Sequence, residues 1–300
     1  MQITTIAVLL TCYNRREKTI QCLRALYQQS LSPEIELKTY LVDDASTDGT
    51  AEAVQHDYPN VCLIQGTGSL FWNGGMRSAF KTAQTEDPDY YLWLNDDTVL
   101  SPHALKTLLN VYAKLANLDQ GKAIVVGSTL DPETDSPSYG GLMQTYWWHP
   151  LKFHHVHPDS DRPRLCDTLH GNCVLVPRIV ATLVGNFSPE YTHNLGDYDY
   201  GLRARQKGCS LWMAPGYLGI CSANPSSSRM VKSELTKINL ERVDRPKGLA
   251  MEDVTLHSFH EWKAFCRQNG GAFWLLYWLL PYRRLLWLML TKHLSHEVTQ

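Results

Sequence analysis

Apolar and polar positions alternate in blocks along the first 130 residues. Ile3–Leu10 is a continuous apolar run and predicts a strand buried on both faces. Arg16–Gln29 puts Ile20, Leu23 and Tyr27 on one side of a helix. Ile35–Val42 predicts a second strand and Thr47–His56 a second helix. Val61–Ile64 reads as a short strand, Gly74–Ala83 is helix-compatible, and Tyr90–Leu94 is again a strand. Pro102–Leu115 predicts a helix with proline near its start, and Ala123–Val126 a further strand. Strands alternating with helices imply βαβ units, hence an α/β fold with a mainly parallel central sheet flanked by helices.

The pattern changes after residue 130. Residues 131–170 hold Pro132, Pro137, Pro150, Pro158 and Pro163 with Gly140 and Gly141, and predict a long irregular excursion, with a β-hairpin over the site as one form of it. Residues 1–225 then form one domain, 226–250 a mobile polar linker, and 251–300 an aromatic helical extension. The run Ala272–Leu290 nearly reaches the length of a membrane span, but Pro281, Arg283 and Arg284 interrupt it. Trp274, Trp278, Tyr282 and Trp287 are residue types of a membrane interface. Lying on the bilayer surface is the favoured reading, ahead of packing on the protein or on a second copy in a homo-oligomer, and ahead of a true span.

Charge narrows the partners. The 28 basic and 30 acidic side chains leave a net charge of −2, without the basic excess that binding to nucleic-acid phosphates requires. The eight cysteines include no CxxC pair, which argues against a zinc site or a redox motif. Ile3–Leu10 has neither a basic flank nor a small-residue cleavage site, so a cytoplasmic location is expected.

In a parallel sheet, ligands bind outside the carboxyl ends of the strands. The ends here read Thr11-Cys12-Tyr13-Asn14, then Asp43-Asp44-Ala45-Ser46-Thr47-Asp48, then Asn95-Asp96-Asp97-Thr98. Two carboxylates at one strand end repel unless a cation lies between them. Oxygen donors suit Mg²⁺ or Mn²⁺, with substrate phosphates completing the shell. The competing role for Asp97, or for Ser101, is to cap the helix that opens at Pro102. No GxxxxGK[ST] or GxGxxG loop is present, which disfavours a Walker site and a nicotinamide cofactor. Phe71-Trp72-Asn73-Gly74-Gly75 offers an aromatic beside close-approach glycines, or a turn with a buried tryptophan.

Taken in order, TCYNR (11–15), VDDASTDGT (42–50), WLNDDTVL (93–100), HGNCVLVPR (170–178) and GDYDYGLRARQKG (196–208) resemble glycosyltransferase family 2, whose members are inverting enzymes of GT-A fold, and rhamnosyltransferases in particular. The resemblance runs over about residues 3–225. It implies nucleotide-sugar contacts from Thr11, Tyr13, Asn14, Asp43 and Asp44, joined by Trp72, Asn73, Gly75, Asn95, Asp96 and His170. It makes Asp97 the firmest ligand of a divalent metal and Asp96 the next, with Asn95 in place of the first acid of the motif. It places the catalytic base at Asp197 and a second catalytic acid at Asp199, with Gly196 where the family often has Glu. Where relatives carry a further histidine ligand, this chain reads Gly219-Ile220-Cys221-Ser222.

An inverting transfer needs a base on the face opposite the leaving group. An ordinary aspartate is a weak base, so burial or a neighbouring Asp199 is expected to raise the Asp197 pKa. Arg203 and Arg205 suit either phosphate or the nearby acids. The cluster His154-His155-x-His157 is expected to be solvated or acceptor-facing rather than metal-binding. The implied function is transfer of a hexose or deoxyhexose from a UDP- or dTDP-linked sugar to a saccharide or lipid-linked oligosaccharide in cell-surface polysaccharide synthesis. Its rivals are a sugar nucleotidyltransferase of related fold and a catalytically inactive sugar- or lipid-binding partner.

Overall fold

The computed structural model describes residues 3–117, 119–223 and 259–283. The polar segment 226–250, together with Arg284 and Trp287, lies outside the described residues. The chain divides into two compact units, one of residues 1–145 and 153–223, the other of residues 146–152 and 224–300.

The first unit is built on strands β1 (Thr4–Cys12), β2 (Ile35–Asp43), β3 (Cys62–Gln65), β4 (Tyr90–Leu94), β5 (Val99–Leu100) and β6 (Ala123–Leu130). Between them run helices α1 (Arg16–Tyr27), α2 (Thr50–Asp57), α3 (Phe71–Ala83) and α4 (Ala104–Leu115). Later come β12 (Cys173–Pro177), α5 (Arg178–Val184), α6 (Gly196–Gln206) and β13 (Ser210–Ile220). The main sheet runs β10-β13-β6-β12-β4-β1-β2-β3, where β10 is Arg164–Leu165. β1, β2, β3 and β4 are mutually parallel, as are β6 and β13. β12 lies antiparallel to both β4 and β6. The sheet is thus mostly parallel, as expected, with one reversed strand at its centre.

Both faces of the central strands are covered, so β4, β12 and the middle of β1 are apolar runs. Along β1, Ala7 and Leu9 pack with Met76 and Phe80 of α3, while Ile6, Val8 and Leu10 pack with Leu23 and Leu26 of α1. Trp93 is fully buried against Phe187 and Tyr200, 4.6 and 4.7 Å between ring centres.

The stretch expected to be irregular contains β7 (Pro137–Tyr139), β8 (Gly141–Tyr146), β9 (His149–His155), β10 and β11 (Thr168–Leu169). β11, β8 and β9 form a three-stranded antiparallel sheet. β8 and β9 form a hairpin, one of the forms expected for this stretch, and β11 adds a third strand of two residues.

In the second unit, α7 (Phe259–Asn269) packs on α8 (Trp274–Leu279), and α8 meets the tip of the β8–β9 hairpin. Tyr277 donates its hydroxyl to the Trp148 carbonyl at 2.7 Å, and its ring lies 4.6 Å from that of His149. Among the described residues, no helix is long and apolar enough to cross a membrane.

Candidate active site

The sheet topology gathers five chain segments at one edge. Parallel pairing of Cys12 with Asp43 and of Leu9 with Trp93 brings the ends of β1, β2 and β4 side by side. Because β12 is reversed, its first residue Cys173 pairs with Leu94, and the preceding His170-Gly171-Asn172 arrives at the same edge. Pairing of Ile220 with Val99 carries Cys221 to the acid pair. The backbone there is strained. Among the described residues seven non-glycines have positive φ, and Asn14 (50°), Ala45 (62°), Phe71 (53°) and Leu195 (69°) all belong to this edge or flank it.

Asp96 and Asp97 share one cation, the guanidinium of Arg15. Its Nη1 lies 3.2 Å from Asp96 Oδ1 and 3.0 Å from Asp97 Oδ2. Burial pushes the Asp96 carboxyl up to about 7, although Arg15 pulls it down. Burial lowers the Arg15 pKa, but the charges of Asp96 and Asp97 outweigh that and hold it above the ordinary value. Asp96 Oδ2 is buried without a partner. Asp97 Oδ1 accepts from the Cys221 thiol at 3.3 Å, and Cys221 Sγ accepts from Asn172 Nδ2 at 3.4 Å. Neither Asp97 nor Ser101 caps α4 with its side chain. The Leu105 amide donates to Gln29 Oε1 instead, at 3.0 Å, so the capping alternative fails.

A second chain of contacts links the acid pair to Asp197. Asn95 Oδ1 accepts from Trp72 Nε1 at 2.7 Å. The Trp72 ring lies against Gly171, where any Cβ would collide with it. The Gly171 amide donates to Asp197 Oδ2 at 3.0 Å, and the Tyr198 amide donates to Oδ1 at 2.9 Å. Burial raises Asp197 to about 6, partly offset by those two hydrogen bonds. Of the two causes expected, burial is the one that acts, and Asp199 is not among the contributors.

Asp199, expected as a second catalytic acid, sits in an internal ion pair. It is fully buried, accepts from Tyr191 Oη at 3.2 Å and pairs with Arg203 Nε at 2.7 Å. Arg203 in turn donates to the Val184 and Asn186 carbonyls. Arg205 pairs with Asp167 at 3.0 Å, so both arginines of α6 go to acids.

The remaining predicted residues divide. Tyr13 is exposed at the end of β1, and Thr11 is buried beside it. Asn14 Oδ1 accepts from the Thr47 amide at 2.8 Å and so ties the β1 and β2 loops together. Asp43 is fully buried, with Oδ1 held by the Ser46 amide at 3.0 Å and Oδ2 unpaired. Both oxygens of Asp44 are taken by backbone amides: Gly68 at 2.7 Å, Leu70 at 2.9 Å and Phe71 at 3.0 Å. Asp44 thus shapes the 66–71 loop and the start of α3. Gly75 lets α3 approach Thr11, where a Cβ would not fit. Asn73 is fully buried and donates Nδ2 to the Ser188 and Tyr191 carbonyls at 2.9 and 2.7 Å, which braces that loop. His170 is also spent internally. Its Nδ1 donates to the Gly140 carbonyl at 3.3 Å, its Nε2 accepts from Tyr198 Oη at 3.0 Å, and burial lowers its pKa to about 3.

Sequence reasoning missed Arg15, although a cation directly following an acidic crevice's first strand was the signal available. It also missed His193, whose pKa burial and the Arg15 charge lower and which meets the Phe71 ring edge-on at 6.3 Å. Cys221 was noted only for not being histidine. A divalent cation fits the acid pair: a positive group already bridges the two carboxylates, and one buried oxygen lacks a partner. Among the described residues, no three His, Cys, Asp or Glu side chains converge on one point, so such an ion would lean on substrate phosphates.

Known proteins resemble this chain in sequence and in fold. The model of the family described as Glycosyl transferase family 2 matches residues 7–180. In two strains of Mycobacterium tuberculosis, N-acetylglucosaminyl-diphospho-decaprenol L-rhamnosyltransferase is 25% identical over 205 residues, covering 62% of this chain and 66% of the relative. The chain therefore spans just under two thirds of the length of the curated relatives it matches. Mannosyltransferase PcManGT from Pyrobaculum calidifontis, solved in complex with GDP-Man and Mn²⁺, superposes with a TM-score of 0.55 at 14% identity, over 94% of this chain and 70% of that one. S. aureus TarS 1-349, solved in complex with UDP, gives 0.52 at 14% identity, over 89% and 70%. The likeness to these two structures is one of fold, and the fold is GT-A.

Proposed function

The chain belongs to glycosyl transferase family 2, and from that premise we propose that it transfers a sugar, with inversion, from a nucleoside diphosphate to a saccharide hydroxyl. The observation that carries the reading is the pairing of a basic Asp197 with a cation-bridged acid pair through Trp72 and Gly171. A carboxylate with a pKa of about 6 is poised to take the acceptor's proton near neutral pH. The Gly171 and Tyr198 amides fix its two oxygens and aim it. The acid pair faces the other product, a diphosphate. Asp97 and Asp96 would hold Mg²⁺ or Mn²⁺, which supplies charge neutralisation to the departing diphosphate. Asp43, with one unpaired buried oxygen, and the exposed ring of Tyr13 are the nucleoside contacts we favour.

The donor we favour is a UDP- or dTDP-linked deoxyhexose, given the similarity to a rhamnosyltransferase, and the acceptor a lipid-linked oligosaccharide of cell-surface polysaccharide synthesis. The second unit supports a lipid-side acceptor. It exposes Trp147 (92%), Phe273 (64%) and Leu276 (59%) beside the exposed cations Lys152, Lys263, Arg267 and Arg283. That composition suits peripheral contact with an anionic bilayer. Wild-type protein is expected to sediment with vesicles containing phosphatidylglycerol, and a Trp147→Ser/Leu276→Ser variant to stay in the supernatant. Equal sedimentation of both would remove the membrane contact.

The transfer itself is tested by incubating donor, Mn²⁺ and acceptor and following the anomeric proton by NMR. A new glycosidic bond of inverted configuration is expected. A retained configuration would overturn the mechanism, and pyrophosphate release from a nucleoside triphosphate and a sugar phosphate would make the protein a nucleotidyltransferase.

A further inference from the structure

Arg15 stands where a cation bridging the two carboxylates would stand. One nitrogen meets an oxygen of Asp96 and an oxygen of Asp97 at once. A divalent ion held by those same two oxygens would take over the contacts that Nη1 makes. The ion and the guanidinium therefore exclude each other from the bridge. We propose that Arg15 is the resident counter-cation of the acid pair and makes metal entry depend on the diphosphate. The proposal rests on the metal-assisted transfer reading above.

Charge supplies the reason. Two carboxylates and one guanidinium leave a single negative charge, and burial penalises leaving that pair without a cation. With both carboxylates ionised, a divalent ion added alone would neutralise the pair and leave the displaced Arg15 without a partner. A nucleoside diphosphate arriving with the ion gives the displaced guanidinium a partner, because its planar fork suits phosphate oxygens. Geometry permits the move. The Arg15 side chain is 39% exposed, whereas those of Asp96 and Asp97 are 7% and 5% exposed, so the arginine is the member that can swing. The consequence is reciprocal coupling: diphosphate strengthens metal binding, and metal strengthens diphosphate binding.

Mn²⁺ binding, read as loss of the free-ion EPR signal with and without UDP or dTDP, tests this apart from turnover. In wild type, diphosphate is expected to tighten Mn²⁺ by about tenfold or more. Arg15→Gln is expected to bind Mn²⁺ without nucleotide about tenfold more tightly than wild type and to lose most of the coupling. Arg15→Lys, which keeps the charge, is expected to stay close to wild type in the free state and shows that the site survives substitution. Free-state Mn²⁺ affinity in Arg15→Gln no higher than in wild type would overturn the proposal while leaving the transfer reading intact. Diphosphate binding by wild type that is unchanged in EDTA and abolished in Arg15→Gln would show that Arg15 replaces the ion, and would overturn it too. Absence of Mn²⁺ binding under every condition would sink the metal reading and this proposal together.

Discussion

Asn73 Oδ1 fills the space that a side chain on Gly196 would need. This explains why the chain carries glycine immediately before Asp197, where the family often has glutamate. The buried amide braces the 188–191 loop through two carbonyls, and α6 starts hard against it. Gly196→Ala is expected to cost about 1–3 kcal/mol by overpacking. In a double-mutant cycle with Asn73→Ala, read by urea denaturation, the two losses are expected to fall short of additivity by about 1 kcal/mol. Strict additivity would show that the contact is not felt.

Asp197 governs the chemical step in this reading. Asp197→Asn is expected to reduce turnover by about 10²–10⁴-fold with donor affinity kept. In wild type, a group with a pKa of about 6 that must be ionised gives a rate that falls on the acid side of that value. The expected fall is about tenfold per pH unit. A profile flat from pH 7.5 to 5, or an Asp197→Asn protein with full turnover, would assign the base elsewhere.

Asp199 and Arg203 are expected to matter for stability instead. Removing one partner leaves the other buried and uncompensated, so Asp199→Ala is expected to cost about 3–5 kcal/mol in urea denaturation. Asp199→Leu/Arg203→Met, which removes both charges, is expected to recover part of that loss. The folded fraction of each variant is expected to bind UDP or dTDP with Mn²⁺ as wild type does. A selective loss of turnover in stable protein would restore a chemical role to Asp199.

His170 sets one part of the acid sensitivity of the fold. Its native pKa of about 3 lies below the unfolded value of about 6.5. The unfolded chain therefore binds more protons between those values, and stability is lost as pH falls through that window. The slope from this group is at most about 1.4 kcal/mol per pH unit. His170→Gln is expected to flatten the fall in urea midpoint between pH 7 and 5 relative to wild type. Asp96 and Asp197, raised by burial, act in the opposite direction, so the comparison with the variant isolates the histidine.

Much of the scaffold was legible because its signals are local. The strand at Tyr90–Leu94 was predicted with its observed bounds, and continuous apolar runs marked strands buried on both faces. The acidic strand ends were legible for the same reason, since parallel strands must bring their carboxyl ends together. What escaped depends on distant pairing. The reversal of β12 carries Gly171 under Trp72, and neither residue's own neighbourhood records it. The separate fates of Asp197 and Asp199, two residues apart on one helix, follow from what each turn of α6 faces. One acid faces Gly171 and the other faces Tyr191 and Arg203. Arg15 escaped because a sequence reader counts acids toward a metal and overlooks the positive side chain that balances them.

The reversed central strand has a consequence for how such a protein can diversify. Everything between the end of β6 and the start of β12 leaves from and returns to the working edge of the sheet. That insertion can lengthen, shorten or change its aromatic tip while β1, β2 and β4 keep their register. Under the proposed transfer, recognition of new acceptors would be free to drift while the strand ends assigned to the donor are kept.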